Sequence, residues 1–266
     1  MTLKKKWEAL IVFIPLTCSR QPLLIRRNIK MKLLLILPVI FFLYCFPATI
    51  RQKNSHVTQF NISSLLNARP ITTLTDNRLV TWTNGIDGGG QADGYLTRSA
   101  ALFNKQDTVH ALPDEALFPA SNSHPEIQLH YSNQNSINDQ ACSMADQGAA
   151  QFSVPKAKYK AIFLALTSAE GASSIKITLI YTDGVRVKKI LVPDYYQDIS
   201  PRDNNFCYLA HNLAKWGPAN QMTEKGHHNI DLLKLMPDPK RKLSGIKISK
   251  EKKGYLVLWA AAGVGN

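Results

Sequence analysis

Between Ser174 and Thr182 the chain reads SIKITLIYT, an alternation that sets Ile175, Ile177, Leu179 and Tyr181 on one face. Side chains along an extended strand point to opposite faces in turn, so this period of two specifies a half-buried β-strand. Asp183-Gly184 follows at once, a dipeptide suited to a tight hairpin turn, and Val185 to Val192 supplies the return strand. Such a ribbon has to lay its apolar face against another layer. The same pattern recurs along the chain. Arg78 to Thr83 (RLVTWT) alternates and stops at Asn84-Gly85, and Tyr159 to Leu166 (YKAIFLAL) is the continuous apolar run of a buried strand. Leu243 to Ser249 (LSGIKIS) and Tyr255 to Ala261 (YLVLWAA) read as a last hairpin around Lys252, Lys253 and Gly254. Helical periods are scarce. Many short strands divided by turn residues predict an all-β, antiparallel sandwich or jelly roll rather than a βαβ fold.

The charge is distributed unevenly. The formal net charge is +13, but residues 1–50 hold eight Lys/Arg against one Glu, and residues 234–253 hold eight against two acids. The stretch between them is balanced, so the folded body carries no general basic face and nucleic acid is not an expected partner. The first basic block flanks two apolar runs. Ala9 to Cys18 is too short to span a bilayer. The second follows Met31-Lys32 and runs uncharged from Leu33 to Ile50, with a basic start, an apolar middle and small residues (Ala48, Thr49) near its end. That is the layout of a secretory signal, and its length just suffices to span as an uncleaved anchor. Met31 offers an alternative start. Residues 1–50 are therefore expected to be a signal peptide or membrane anchor, residues 51–57 a short polar stalk and residues 58–266 an exported sandwich domain. The expected location is secreted, periplasmic or at the cell surface. Cys142 and Cys207 alone fall in the exported part, and their pairing is left open. No CxxC and no zinc-like Cys/His spacing occurs.

Five stretches in a fixed order add a resemblance. Phe60 to Leu66 (FNISSLL) looks like an opening strand. Asn84 to Gly90 (NGIDGGG), then Tyr95-Leu96, looks like an early Asp-Gly-rich loop. Asn138-Asp139 leads through Val154-Pro155 to Tyr159. Tyr181 to Gly184 is followed by Val192 to Tyr195, and Asp238-Pro239-Lys240 precedes Leu243 to Ile248. In this order the exported region, over about residues 58–262, resembles the jelly-roll, galactose-binding-like β-sandwich domains of secreted bacterial proteins. The resemblance implies carbohydrate binding, often in the company of glycoside hydrolases. The basic segment 234–253 and several long polar inserts depart from that pattern.

Asp87 to Asp93 (DGGGQAD) places two carboxylates on a glycine-rich loop. Ca²⁺ takes carboxylate and carbonyl oxygens on flexible loops, so Asp87 and Asp93 are candidate calcium ligands; a plain turn is the alternative. Domains of the resembled kind often hold such a structural ion. Asp194, Tyr195 and Tyr196 follow a strand, and aromatic rings with nearby carboxylates suit sugar faces and hydroxyls. The competing reading packs one tyrosine inside and leaves the other at an edge. Trp216, in Lys215 to Asn220 (KWGPAN), is expected in a loop and exposed, with Asn220 beside it as a sugar ligand. Trp82 and Trp259 are expected in the core.

His211, His227 and His228, with Asp203, Glu224 and Asp231, could form a metal or acid/base site, but their spacing matches no known motif, and structural or surface roles are expected of them. His227 and His228 should face opposite ways if extended. Asp114 and Glu115 are adjacent and likewise face apart. There is no nucleophile elbow, no Ser-x-x-Lys accompanied by the Ser-Asp-Asn and Lys-Thr-Gly that complete its set, and no clear Cys–His pair, and no catalytic residue is assigned. The alternating charges of Lys234 to Lys253 read as lysines that discourage edge pairing of the last strands, with contact to anionic glycans, lipopolysaccharide or a membrane surface as the alternative. The expectation is a non-catalytic carbohydrate-binding module. A protein-interaction or scaffold domain is the first alternative and a carbohydrate-active hydrolase the second.

Overall fold

The structure, a computed structural model, describes residues 56–87, 93–134, 138–251 and 253–265. The signal or anchor read over 1–50, the stalk up to residue 55, Gly88 to Ala92 of the acidic loop and Lys252 lie outside the described residues. The fold is an all-β sandwich of largely antiparallel sheets, with one short α-helix and a 3₁₀ turn at Ser63–Leu65, where the opening strand was expected, among the described residues. In chain order the elements are β1 (Val57–Gln59), β2 (Ile71–Thr75), β3 (Arg78–Val80), β4 (Tyr95–Leu96), α1 (Arg98–Phe103), β5 (Leu117–Phe118), β6 (Ile127–Gln128) and β7 (Cys142–Ala145). There follow β8 (Ala149–Ala157), β9 (Tyr159–Ala169), β10 (Ser173–Tyr181), β11 (Gly184–Val192), β12 (Phe206–Trp216), β13 (Met222–Leu235), β14 (Leu243–Lys250) and β15 (Tyr255–Gly265).

One sheet runs β1-β15-β9-β13-β12, with β7 also pairing β15; the facing sheet runs β11-β10-β14-β8. Ile175, Ile177, Leu179 and Tyr181 of β10 enter the core between them, together with Ile162, Leu164 and Leu166 of β9 and Ile246 and Ile248 of β14. The alternation that predicted a half-buried ribbon is therefore the inner face of the smaller sheet. The continuous apolar run of β9 has a different cause. Its intervening residues, Ala161, Phe163 and Ala165, enter a second core on the far face of the larger sheet. That core is covered by residues from the first half of the chain, among them Ile71, Tyr95, Leu112, Phe118 and Leu129. A strand buried on both faces has no polar side to show. Gly263 of β15 marks how tightly the layers close: a Cβ there would come within 2.5 Å of Phe60 Cζ and 2.7 Å of the Tyr159 ring.

Several expectations are corrected. The predicted hairpin turn sits one residue earlier, on Thr182-Asp183, because Tyr181 pairs with Gly184. Gly184 leaves the turn at φ 134°, a conformation that side-chain-bearing residues rarely adopt. The last two strands are not a hairpin. β14 pairs β10 and β8, whereas β15 pairs β1, β7 and β9, so the chain crosses from one sheet to the other between them. Since β14 and β15 both lie inside their sheets, their lysines do not guard an edge. Lys250 is buried, with Nζ donating to the Asp146 carbonyl at 3.2 Å. The strand expected over 78–83 ends at Val80. Trp82 lies beyond it, half-buried rather than in the core, with its Nε1 donating to the Trp216 carbonyl at 3.2 Å. Among the described residues, no helix is long and apolar enough to cross a membrane.

Cys142 and Cys207 are both free. They lie on β7 and β12, at opposite edges of the larger sheet and four strand steps apart. At about 4.8 Å per step that is roughly 19 Å, far beyond the Cα separation a disulfide bridges.

Candidate functional site

The β12–β13 ladder is irregular at one end, and the irregularity builds a site. Between the pairs Leu213↔His228 and Lys215↔Thr223, β12 advances two residues and β13 five. The surplus of β13, Glu224 to His227, bulges out of the sheet, with Glu224 at φ 48° and Gly226 at φ 81°. A bulge of this kind re-aims side chains that a regular strand would alternate. Here it folds Glu224 back so that its Oε2 lies 3.1 Å from Nε2 of His228, four residues on. The left-handed backbone at Glu224 is uncommon outside glycine, and the partners of its carboxylate hold it there.

Those partners come from three directions. The Tyr196 hydroxyl donates to Glu224 Oε2. Lys215 Nζ lies 3.9 Å from Glu224 Oε1 and pairs more closely with Asp93. Asp87 Oδ1 in turn accepts the Asp93 backbone N–H at 2.9 Å. Behind this polar rim the rings of Tyr195, Tyr196 and His228 meet edge to face, with centroids 4.5 to 4.6 Å apart. Such tilted contacts are the favoured geometry of π systems. Tyr195 and His228 are buried, and Tyr196 is 44% exposed, so one ring of the three reaches solvent.

The electrostatics fix the protons. The Tyr196 hydroxyl is the main cause that holds the Glu224 carboxyl below its usual range, so Glu224 is an ionised acceptor. Burial draws the His228 imidazole below its ordinary value, against the pull of Glu224. A neutral imidazole facing an ionised carboxylate must donate, which places the His228 proton on Nε2. Its buried Nδ1 then has no partner among the described residues. Burial raises Asp93, and the neighbouring Asp87 adds to this while Lys215 opposes it. Burial alone would lower Lys215, but Asp93 and Glu224 outweigh it and hold the ammonium charged. The exposed Tyr196 ring therefore has the Glu224 carboxylate at its hydroxyl and the Lys215 ammonium beside that carboxylate, with Asp93 paired to Lys215 and Asp87 bonded to the Asp93 backbone.

The residues singled out from sequence divide. Tyr195 and Tyr196 belong to the site, one packed inside and the other open, as the competing reading had it. Asp194 is buried beneath them as a clamp: Oδ2 accepts the Gly171 N–H at 2.7 Å and Oδ1 the Tyr196 N–H at 3.1 Å. Trp216 is corrected. It is the last residue of β12, is fully buried, and packs with Leu96, Ala100 and Met222. The Gly-Pro that followed it suggested a loop, but the strand runs through it. Asn220 is an exposed turn residue at φ 53°, and its carbonyl accepts from Asn104 Nδ2 at 3.0 Å.

Asp87 and Asp93 do come together, but Asp93 meets an ammonium where a Ca²⁺ ion would need further oxygen ligands. Among the described residues, no group of three His, Cys, Asp or Glu side chains is placed to hold a metal ion. The His/Asp/Glu group of the second half also splits. His211 stacks on Tyr208 and lies 3.6 Å from Asp198, Asp203 caps a turn, and Asp231 is buried alone. His227 is exposed in the bulge and His228 buried. Lys215 was not anticipated, and the Glu224–His228 pair was not recognised as a unit. Gly226, two residues into the bulge, is the one sequence signal that could have found it.

A cleft of about 490 Å³ lined by Asp114, Tyr131 and Asn133 lies elsewhere. Of its two carboxylic residues, Asp114 and Glu115, the first is already committed, accepting from the Ser99 N–H at 2.8 Å and Asn133 Nδ2 at 2.9 Å, and among the described residues no fixed aromatic cluster borders the second. The Tyr196–Glu224 cluster therefore remains the best-built candidate. No protein-family model matches the chain, and a search of curated proteins finds no match either.

Proposed function

We propose that the chain is an exported, galactose-binding-like jelly-roll module that binds carbohydrate, with the Tyr196–Glu224 rim as its ligand site. The observation that carries this reading is a single exposed aromatic ring, fixed from behind by Tyr195 and His228 and bordered by the acceptors Glu224 and Asp93 and the donor Lys215. A flat ring stacks on the apolar face of a sugar, and converging acceptors and donors take its hydroxyls. Pre-ordered side chains lose little rotamer freedom on binding. The apolar segment 33–50 would direct or tether the module across a membrane, outside the cell or in the periplasm.

The test is a glycan-array screen of the full chain in detergent, followed by titration of any glycan that binds. Tyr196→Ala should weaken that binding at least about tenfold while leaving the melting temperature within a few degrees. Trp216→Ala should do the reverse, lowering the melting temperature through its cavity without acting on the sugar. Binding to no glycan, or binding indifferent to Tyr196→Ala, would overturn the proposal. One observation favours a second reading, glycoside hydrolysis: the carboxyls of Asp93 and Glu224 converge on the same ammonium. Release of new reducing ends from a bound oligosaccharide, abolished by Glu224→Gln, would select that reading over simple binding.

A further inference from the structure

The charge at the rim is one-sided. Asp87, Asp93 and Glu224 supply three carboxylic groups, and among the described residues Lys215 is the one cation that touches any of them. The neighbouring Lys225 is turned away and pairs with Asp107. His228, buried and with its proton committed to Glu224, adds no charge of its own. The exposed part of the rim is still more acidic than its sum. Lys215 and Asp93 are both largely covered, at 20% and 15% side-chain exposure, whereas Glu224 is 42% exposed beside the half-exposed Tyr196 ring. A ligand arriving from solvent meets an aromatic ring and a carboxylate first, and the ammonium only behind them.

From this arrangement we infer that the site selects amine-bearing sugars, glycans whose units carry a free ammonium, over N-acylated or acidic ones. The inference rests on the carbohydrate reading above and names its ligand class. An ammonium over a tyrosine ring is attracted by the negative face of the π system, and a carboxylate at the ring edge adds a charge-assisted hydrogen bond. A uronic acid in the same place would set its own carboxylate against Glu224 with Asp87 and Asp93 behind it. An N-acetyl group would present no charge and a bulkier substituent.

The experiment titrates the full chain in detergent with three probes of equal length: a glucosamine oligosaccharide, its fully N-acetylated counterpart and a galacturonate oligosaccharide. The glucosamine oligomer should bind about tenfold more tightly than the acetylated one. That ratio should shrink as salt is raised, since the attraction is electrostatic and partly exposed. Galacturonate should bind weakest. Glu224→Gln should bring the amine-to-acetyl ratio near unity, and Asp87→Asn, farther from the bulge, should reduce it if Glu224→Gln does not fold. Equal binding of the amine and acetyl forms, or preference for galacturonate, would overturn the inference while leaving carbohydrate binding in place. Failure of every glycan, on these probes and on the array, would overturn both.

Discussion

Asp231 is the residue whose chemistry is most at odds with its place. It sits on β13 between Tyr208 and Leu166, is 1% exposed, and neither carboxyl oxygen has a hydrogen-bond partner among the described residues. A buried carboxylate without a partner is costly, and the group responds by holding its proton. Burial, helped by the Asp194 carboxyl, pushes Asp231 from 3.8 up to about 7. Because the folded value lies above the unfolded one, the protonated form favours the fold. That contribution is fully present below about pH 4, declines as pH rises to about 7, and is absent above. A displacement of this size is on the order of 4 kcal/mol. Asp231→Asn keeps the shape and removes the charge. It should raise the melting temperature at about pH 8, have little effect at about pH 4, and flatten the stability profile between them. A wild-type profile that does not fall over this range would contradict the assignment.

At the scale of elements, β11 poses the clearest problem and shows how the chain handles it. Among the described residues it pairs with β10 alone, so its other edge is unpaired. It also exposes Val185, Val187 and Leu191 on its outer face. A long, flat, apolar edge invites pairing with another copy. Arg186 and Lys188 point to the core-side face, opposite Leu179 and Ile177, where a docking strand would have to bury them. Replacing both with valine should remove that barrier, and size-exclusion chromatography should then show concentration-dependent self-association absent from the parent chain. A monomeric double variant would assign the protection to something else. The strand itself was readable, because alternation reports which side chains share a face. What alternation does not report is the partner. LSGIKIS and YLVLWAA suggested a hairpin by their nearness, yet the first lies in one sheet and the second in the other. The Glu224–His228 pair was hidden for a related reason. It arises from a mismatch of register between two strands, which neither strand encodes alone. The tyrosines that complete the site could be read from sequence as an aromatic pair after a strand, but the pattern did not tell the buried ring from the exposed one.

Over the whole molecule the larger sheet is a shared wall, and this governs how the fold comes apart. Leu164 and Leu166 of β9 and Leu233 of β13 face the first core, while Phe163 and Leu232, their chain neighbours, face the second. β15 repeats the arrangement with Leu258 on one side and Trp259 on the other. No strand of this wall can leave one core and keep the other, so the two should melt together in one cooperative transition. Trp259 tests the coupling because it is fully buried in the second core, donates to Thr167 Oγ1 at 2.8 Å and stacks on Tyr95 at 6.0 Å. Trp259→Ala should cost about 3–5 kcal/mol. If the cores are coupled, the variant shifts the far-ultraviolet circular dichroism and the tryptophan emission transitions downward by the same amount. The far-ultraviolet signal comes from strands in both sheets, while Trp82 and Trp216 still report on the cluster they form with Leu96 and Ala100 at the end of β12. If the covering layer built from residues 71–134 instead melts by itself, the emission transition moves ahead of the dichroism one. The shared wall would then be a hinge between two independently stable parts.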